Sequence, residues 1–265
     1  MKKLTKVLAV VLAAVFVFGC FAACSNAGKT EDKDSDLAYI QNKGKLVVGM
    51  TEFAPMDYKD ENGEWTGFDA ELGRLFAKEI GVDIEFLIID WDSKITEIET
   101  KAVDCAWNGM TITDELLNGT SVSKPYAQNQ QVVVMKADKI DNYTTVESLK
   151  DLTFAVEGGS AGKDAAEANG CFKTDVVTAQ SDALLEVKSG SVDACIIDST
   201  MAASMTGEGT DYADLKAGLK LVDEQYGISF RKGSDVTEKM NEFLDKCKAD
   251  GTLQKLADKY NITLA

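Results

Sequence analysis

Histidine is absent from this 265-residue chain, and arginine occurs only at Arg74 and Arg231. The first absence removes the commonest general base, the commonest neutral metal ligand and every Ser-His or Cys-His dyad. Enzymes built on Asp, Glu, Lys or Tyr stay open. The six cysteines show no CxxC spacing, so no zinc site is expected, nor any other metal or cofactor. Basic charge is also scarce: Lys plus Arg total 28 against 44 Asp plus Glu, and Lys2, Lys3 and Lys6 all fall within the first 23 residues. The rest is strongly acidic, which argues against a nucleic-acid partner, since that needs a basic face. The bland reading of the acidity is a solvated surface.

What is present begins with an export signal. MKKLTK is a basic start, and Val7 to Gly19 is an apolar run of signal-peptide length, too short for a comfortable membrane span. FAACSNAG then looks like a bacterial lipobox, with small residues before Cys24 and a polar stretch after it. Cys20 is the weaker candidate, because bulky Phe18 precedes it and apolar Phe21 follows. The expectation is a signal peptide over 1–23, lipid attachment at Cys24, and a tether over 24–39. Cys105 and Cys195 sit in apolar strand patterns and read as core residues. A bridge involving Cys171 stays open in an exported protein.

Two segments repeat a pattern. Residues 99–111 read ETKAVDCAWNGMT and residues 188–200 read KSGSVDACIIDST. Each runs from a helix end through Val-Asp into an apolar strand with a polar end. One such unit per half predicts two similar α/β lobes and a cleft between them. Strands alternate with helices elsewhere too, which indicates parallel sheets. Lys45–Gly49, Ile84–Ile89, Cys105–Trp107, Gln131–Met135, Thr153–Val156, Val176–Val177 and Ala194–Ile197 read as strands, as do Leu219–Val222 and Gly227–Phe230. Phe68, Leu72, Leu75, Phe76 and Ile80 recur at helical spacing, with Gly81 as the stop. Thr144 to Glu147 resembles a capping box. Two amphipathic helices, Val236–Lys248 and Leu253–Tyr260, flank Asp250-Gly251. The Gly158-to-Gly162 loop opens a helix and suits an anion, although a plain tight turn explains it as well.

The ordered series KLVVG, APMDYKDENGEWTGFDAEL, NGMTITDE, VEGGSAG, VDACIIDS, QYGISFRKGS and KADGTL resembles family 3 bacterial solute-binding proteins, the amino-acid receptors of ABC importers. The likeness covers residues 40–265. It implies an α/β, two-lobed periplasmic-binding fold of type II, with two hinge strands and the ligand cleft between the lobes. Lobe 1 is expected over 40–131 and 227–265, and lobe 2 over 132–226. The ligand-clamping aromatics match Phe53 and Trp91, either of which could instead be core. The ligand-facing strand end matches Asn108, Gly109, Met110 and Thr111, and the lobe 2 loop matches Gly159, Ser160 and Ala161. The α-ammonium partner matches Asp198, which otherwise reads as a helix N-cap. Glu52 falls near a side-chain-reading acid. One departure is serious: the Arg that forks onto the ligand carboxylate in this family is Leu116 here, and Lys does not reproduce such a fork. Glu52, Glu157 and Asp198 around one cleft favour a cationic or amine-rich ligand; a neutral polar amino acid held by backbone donors is equally compatible.

The resemblance implies a monomeric, lipid-anchored receptor outside the cell, not an enzyme, which captures an amino acid or small amine by hinge closure and passes it to the ABC permease. Two alternatives stay open. One is an exported dehydratase-like enzyme on the same fold, with Glu157 or Asp198 as base. The other is a sensor that works through a separate signalling partner, since no effector domain is read before Ala265.

Overall fold

Residues 35–265 are described by a computed structural model. The expected signal peptide, Cys24 and most of the expected tether lie outside the described residues. The fold begins earlier than expected. Residues 36–39 belong to helix α1 (Asp36–Lys43), whose Ile40 is buried and whose Asp36 accepts a hydrogen bond from Arg231 Nε at 2.7 Å.

Strand β1 (Lys45–Met50) follows, then a small hairpin of β2 (Tyr58–Lys59) and β3 (Trp65–Thr66). Helix α2 (Phe68–Ile80) buries Phe68, Leu72, Phe76 and Ile80, and Gly81 ends it in the left-handed region at φ 79°. Strand β4 (Asp83–Ile88) leads through a tight turn at Trp91–Ser93 into α3 (Lys94–Glu99), β5 (Cys105–Thr111) and α4 (Asp114–Gly119). Thr113 caps α4 through its side chain. Strands β6 (Ser121–Val122) and β7 (Ala127–Lys136) come next. The second half continues with α5 (Val146–Leu149), β8 (Phe154–Glu157), α6 (Ala161–Ala168), β9 (Thr174–Val177), α7 (Gln180–Ser189), β10 (Ala194–Asp198) and α8 (Ser199–Met205). The chain returns through β11 (Leu215–Phe230) to α9 (Val236–Ala249) and α10 (Thr252–Tyr260).

The main sheet runs β4-β1-β5-β11-β7-β10-β8-β9. Its two ends are parallel trios: β1 pairs with β4 and β5 at one end, and β8 with β10 and β9 at the other. Between them β11 and β7 pair antiparallel with each other and with the trios, at β5 and β10. Parallel strands need helical crossovers, so each trio gathers its own helices and core. Two trios joined only through two long strands make two lobes with a two-strand hinge.

The repeated Val-Asp segments explain how the trios are alike. Asp104 accepts the Val47 N–H of β1 at 2.7 Å, and Asp193 accepts the Thr153 N–H beside β8 at 2.9 Å. In each lobe the Asp before the strand next to the hinge ties down the neighbouring strand.

Three local expectations shift. Leu219–Val222 and Gly227–Phe230 are parts of one 16-residue strand, because the polar stretch between them pairs with β7, Asp223 opposite Gln130 and Gln225 opposite Gln128. The capping box is set one residue later: Thr145 and Ser148 bond reciprocally. Cys171 is a free, buried thiol in the lobe 2 core, and Cys105 and Cys195 are likewise free and buried.

Candidate ligand cleft between the lobes

Strand ends converge on an enclosed space of about 30 Å³, the order of one or two waters. Asn108, Gly109, Met110 and Thr111 line it from the end of β5, and Asp198 lines it from the end of β10. The polar ends of the repeated units therefore face one cavity, at the carboxyl ends of strands where open α/β sheets present their loops. Trp91, Gly159, Ser160 and Ala161 complete the predicted residues present there. Phe53 and Glu52 are not among the lining residues. Phe53 is buried against the back of the cleft, close enough that a Cβ on Gly109 would lie 2.7 Å from its ring. Glu52 is exposed.

The lobe 1 wall is rigidly supported. Asn108 Oδ1 accepts from the Thr51 amide and hydroxyl, both at 2.9 Å, and its Nδ2 donates to the Thr51 carbonyl at 3.0 Å and to Asp57 at 2.8 Å. Gly109 N–H donates to Asp69 at 2.6 Å, and the Tyr126 hydroxyl donates to the same oxygen at 2.8 Å. Burial pushes Asp69 up to about 7 and holds Asp57 well above the carboxylate range. Trp91 packs among Val47, Ile98, Met110 and Leu116 while also lining the cavity, so it is both core and wall.

Asp198 occupies the N-cap position of α8, yet its side chain makes no cap bond. It accepts instead from Asn129 at 2.6 Å, from Gln180 at 2.7 Å and from Gln131. Asn129 and Gln131, both on hinge strand β7, also donate to Glu224 of hinge strand β11, at 2.6 and 2.9 Å. Burial and the neighbouring Glu224 hold Asp198 well above its usual range. Glu157, at the end of β8, is buried with one carboxyl oxygen unpartnered, and burial raises it to about 8.

The lobes meet directly. A Cβ on Gly159 would lie 2.6 Å from the Asp92 Cα, so only glycine admits this approach. Lys94 spans the same seam. Its Nζ donates to the Trp91 carbonyl at 3.1 Å in lobe 1 and to the Gly159 carbonyl at 2.8 Å in lobe 2, and it lies 5.3 Å from the Trp91 ring centre. Sequence reasoning missed Lys94, although Trp91, Lys94, Ile95 and Ile98 are spaced as one helical face. It also missed Gln131 and Gln180, polar residues whose position in strand and helix carries no signal of this kind.

Two lobes, a paired-strand hinge and a cavity walled from both sides define a hinge-closing solute receptor. Residues 46–263 match the family described as bacterial extracellular solute-binding proteins, family 3, and the chain belongs to that family. It is 33% identical over 248 residues to the arginine-binding extracellular protein ArtP of Bacillus subtilis (strain 168), covering 90% of this chain and 94% of that one. Holo ArgBP from T. maritima is 32% identical with a TM-score of 0.75, covering 82% of this chain and 98% of its own. The ancestral amino acid-binding protein AncCDT-1, a precursor of cyclohexadienyl dehydratase, is 33% identical with a TM-score of 0.78, covering 85% and 99%. Among the described residues no helix is long and apolar enough to cross a membrane, and no cluster of Cys, Asp or Glu could hold a metal ion.

Proposed function

We propose that this chain captures an amino acid or a related small amine outside the cell and delivers it to an ABC permease. The observation that carries the reading is the cavity walled by both repeated strand ends, Asn108–Thr111 from one lobe and Asp198 from the other, across a two-strand hinge. A ligand touching both walls binds the closed arrangement better than the open one, and that difference drives closure. Lobe 1 comprises residues 36–131 and 227–265 and lobe 2 residues 132–226. Both boundaries fall inside β7 and β11, where Gln131 and Tyr226 sit in paired strands. Trp91 supplies the apolar wall, Gly159 to Ala161 supply backbone donors, and Asp198 takes a ligand ammonium. Phe53 acts from behind Gly109, and Glu52 stands outside the enclosed space. Cys24 carries the lipid that holds a monomeric receptor at the cell membrane.

A thermal-shift panel of amino acids and amines on the chain from residue 25 onward tests this. A ligand at about 100-fold over its Kd stabilises by roughly 2.7 kcal/mol. Trp91→Ala and Asp198→Ala should each abolish the shift while leaving the unliganded protein folded. Retained binding in both would remove the cleft from the reading. The kinship with a dehydratase precursor and the raised Glu157 favour one second reading, an enzyme acting on prephenate-like acids. Turnover of such an acid by the wild-type protein, lost in Glu157→Gln, would replace the receptor reading.

A further inference from the structure

Lys94 is 7% exposed, lines the cavity, and pairs with no carboxylate among the described residues. An ammonium has three donors, and two are taken by the Trp91 and Gly159 carbonyls. Among the described residues no other basic side chain lines the cavity. Both arginines are engaged elsewhere: Arg74 donates to the Trp65 carbonyl at 2.5 Å, and Arg231 is bound to Asp36 and Asp104. A buried cation with no carboxylate in direct contact is costly, and a ligand carboxylate would offset that cost. The bond to Gly159 also sets the ammonium beside the start of α6. There Ser160 Oγ caps the Lys163 N–H at 3.2 Å, and the Ala161 and Gly162 N–H groups, which have no partner within the helix, favour negative charge. Glu157, with one unpartnered carboxyl oxygen, and Asp198 line the same cavity.

Resting on the receptor reading above, we infer that Lys94 is the carboxylate-binding residue of this cleft, so that the ligand is an α-amino acid zwitterion and not a bare amine. The ligand carboxylate bridges the Lys94 ammonium and the α6 amides, and its ammonium turns toward Glu157 and Asp198. Leu116 lines the same cavity and contributes only apolar wall. Burial lowers the Lys94 pKa, and Glu115, Glu157, Asp92 and Asp164 oppose that from a distance without pairing to the ammonium.

Titration calorimetry with matched pairs tests this: arginine and agmatine, histidine and histamine, ornithine and putrescine, with the methyl ester of each amino acid. In the wild-type protein the acid of at least one pair should bind roughly 100-fold or more tightly than its amine and its ester. Lys94→Met should abolish that preference, and Leu116→Arg in the same background should restore it in part. A structural lock would behave differently, because losing it weakens acid and amine alike. A Lys94→Met protein that keeps the wild-type acid-to-amine ratio overturns the inference. So does a wild-type protein that binds ester and acid equally, a comparison that holds even if Lys94→Met does not fold. Wild-type protein that binds neither member of any pair, nor any amino acid of the thermal-shift panel, overturns the receptor reading itself.

Discussion

Gly109 shows how one residue can decide the shape of the cleft. Its φ of 55° lies in the left-handed region, its N–H is fixed by Asp69, and a Cβ there would sit 2.7 Å from Phe53 and 3.2 Å from Tyr226. Both rings are buried, so neither can swing away freely. Gly109→Ala therefore combines backbone strain with overpacking, and about 2–4 kcal/mol of stability should be lost. Gly63 has a φ of 80° with nothing within 4 Å of an added Cβ, so Gly63→Ala should cost only about 1 kcal/mol. Urea unfolding of the two variants separates the collision from the strain. Equal losses would mean that Phe53 does not buttress the strand end. Phe53, matched by the family likeness to a ligand-clamping aromatic, is buried behind the strand end and does not line the cavity.

At the scale of elements, the two Val-Asp units are alike in design and unlike in cost. Asp104 is buried and holds three partners: the Val47 amide, Lys43 Nζ at 2.6 Å and Arg231 Nη2 at 3.3 Å. Arg231 lies just past β11 and also binds Asp36, so this network clamps α1 and the end of a hinge strand to lobe 1. Asp193 is exposed and bonds only the Thr153 amide and hydroxyl, at 2.9 and 2.8 Å. Asp104→Ala leaves a buried guanidinium short of charge and should cost about 3–5 kcal/mol. Asp193→Ala should cost about 1 kcal/mol or less, because water replaces the lost acceptor. Chemical denaturation of the pair checks this, and a cost for Asp193→Ala matching that for Asp104→Ala would contradict it. The repeat was legible because a strand start after Val-Asp leaves a pattern of residue types. The single long β11 was not, since Lys220, Asp223 and Glu224 are polar residues on a strand that pairs on both edges along part of its length, and alternation fails where neither face is fully buried. Most of the cavity wall was matched through the family likeness, at the ends of β5 and β10, at Trp91 and in the loop after β8. Lys94 was not, because a lysine opening a short helix reads as surface unless its face is traced to Trp91 and Ile98.

Among the described residues folding pushes several carboxyls toward the neutral form, among them Asp57 and Asp69 beneath the lobe 1 wall, and Glu157, Asp164 and Asp198 in lobe 2. Burial is the leading cause for each. An acid whose folded pKa is raised binds more protons folded than unfolded, so its contribution is fully present below the unfolded pKa and is lost as pH rises through the folded one. Asp69 at about 7 and Glu157 at about 8 place the loss between roughly pH 4 and pH 8. The surface carboxyls Asp60, Asp214 and Asp250 are lowered by hydrogen bonds, so they withdraw stability only as pH falls below the usual carboxylate range. The stability optimum should therefore lie on the acid side of neutrality, with Tm higher at pH 5 than at pH 8. Glu157→Gln removes one of the titrating groups and should flatten that slope without moving the acid limb. A saturating amino acid should flatten it too, because a ligand ammonium beside Glu157 and Asp198 favours their ionised forms. Thermal unfolding of both proteins across this range, with and without ligand, checks the argument. A Tm that rises from pH 5 to pH 8 would show that these carboxyls are ionised at no cost in the folded protein, and the cleft would then hold more negative charge than its burial allows.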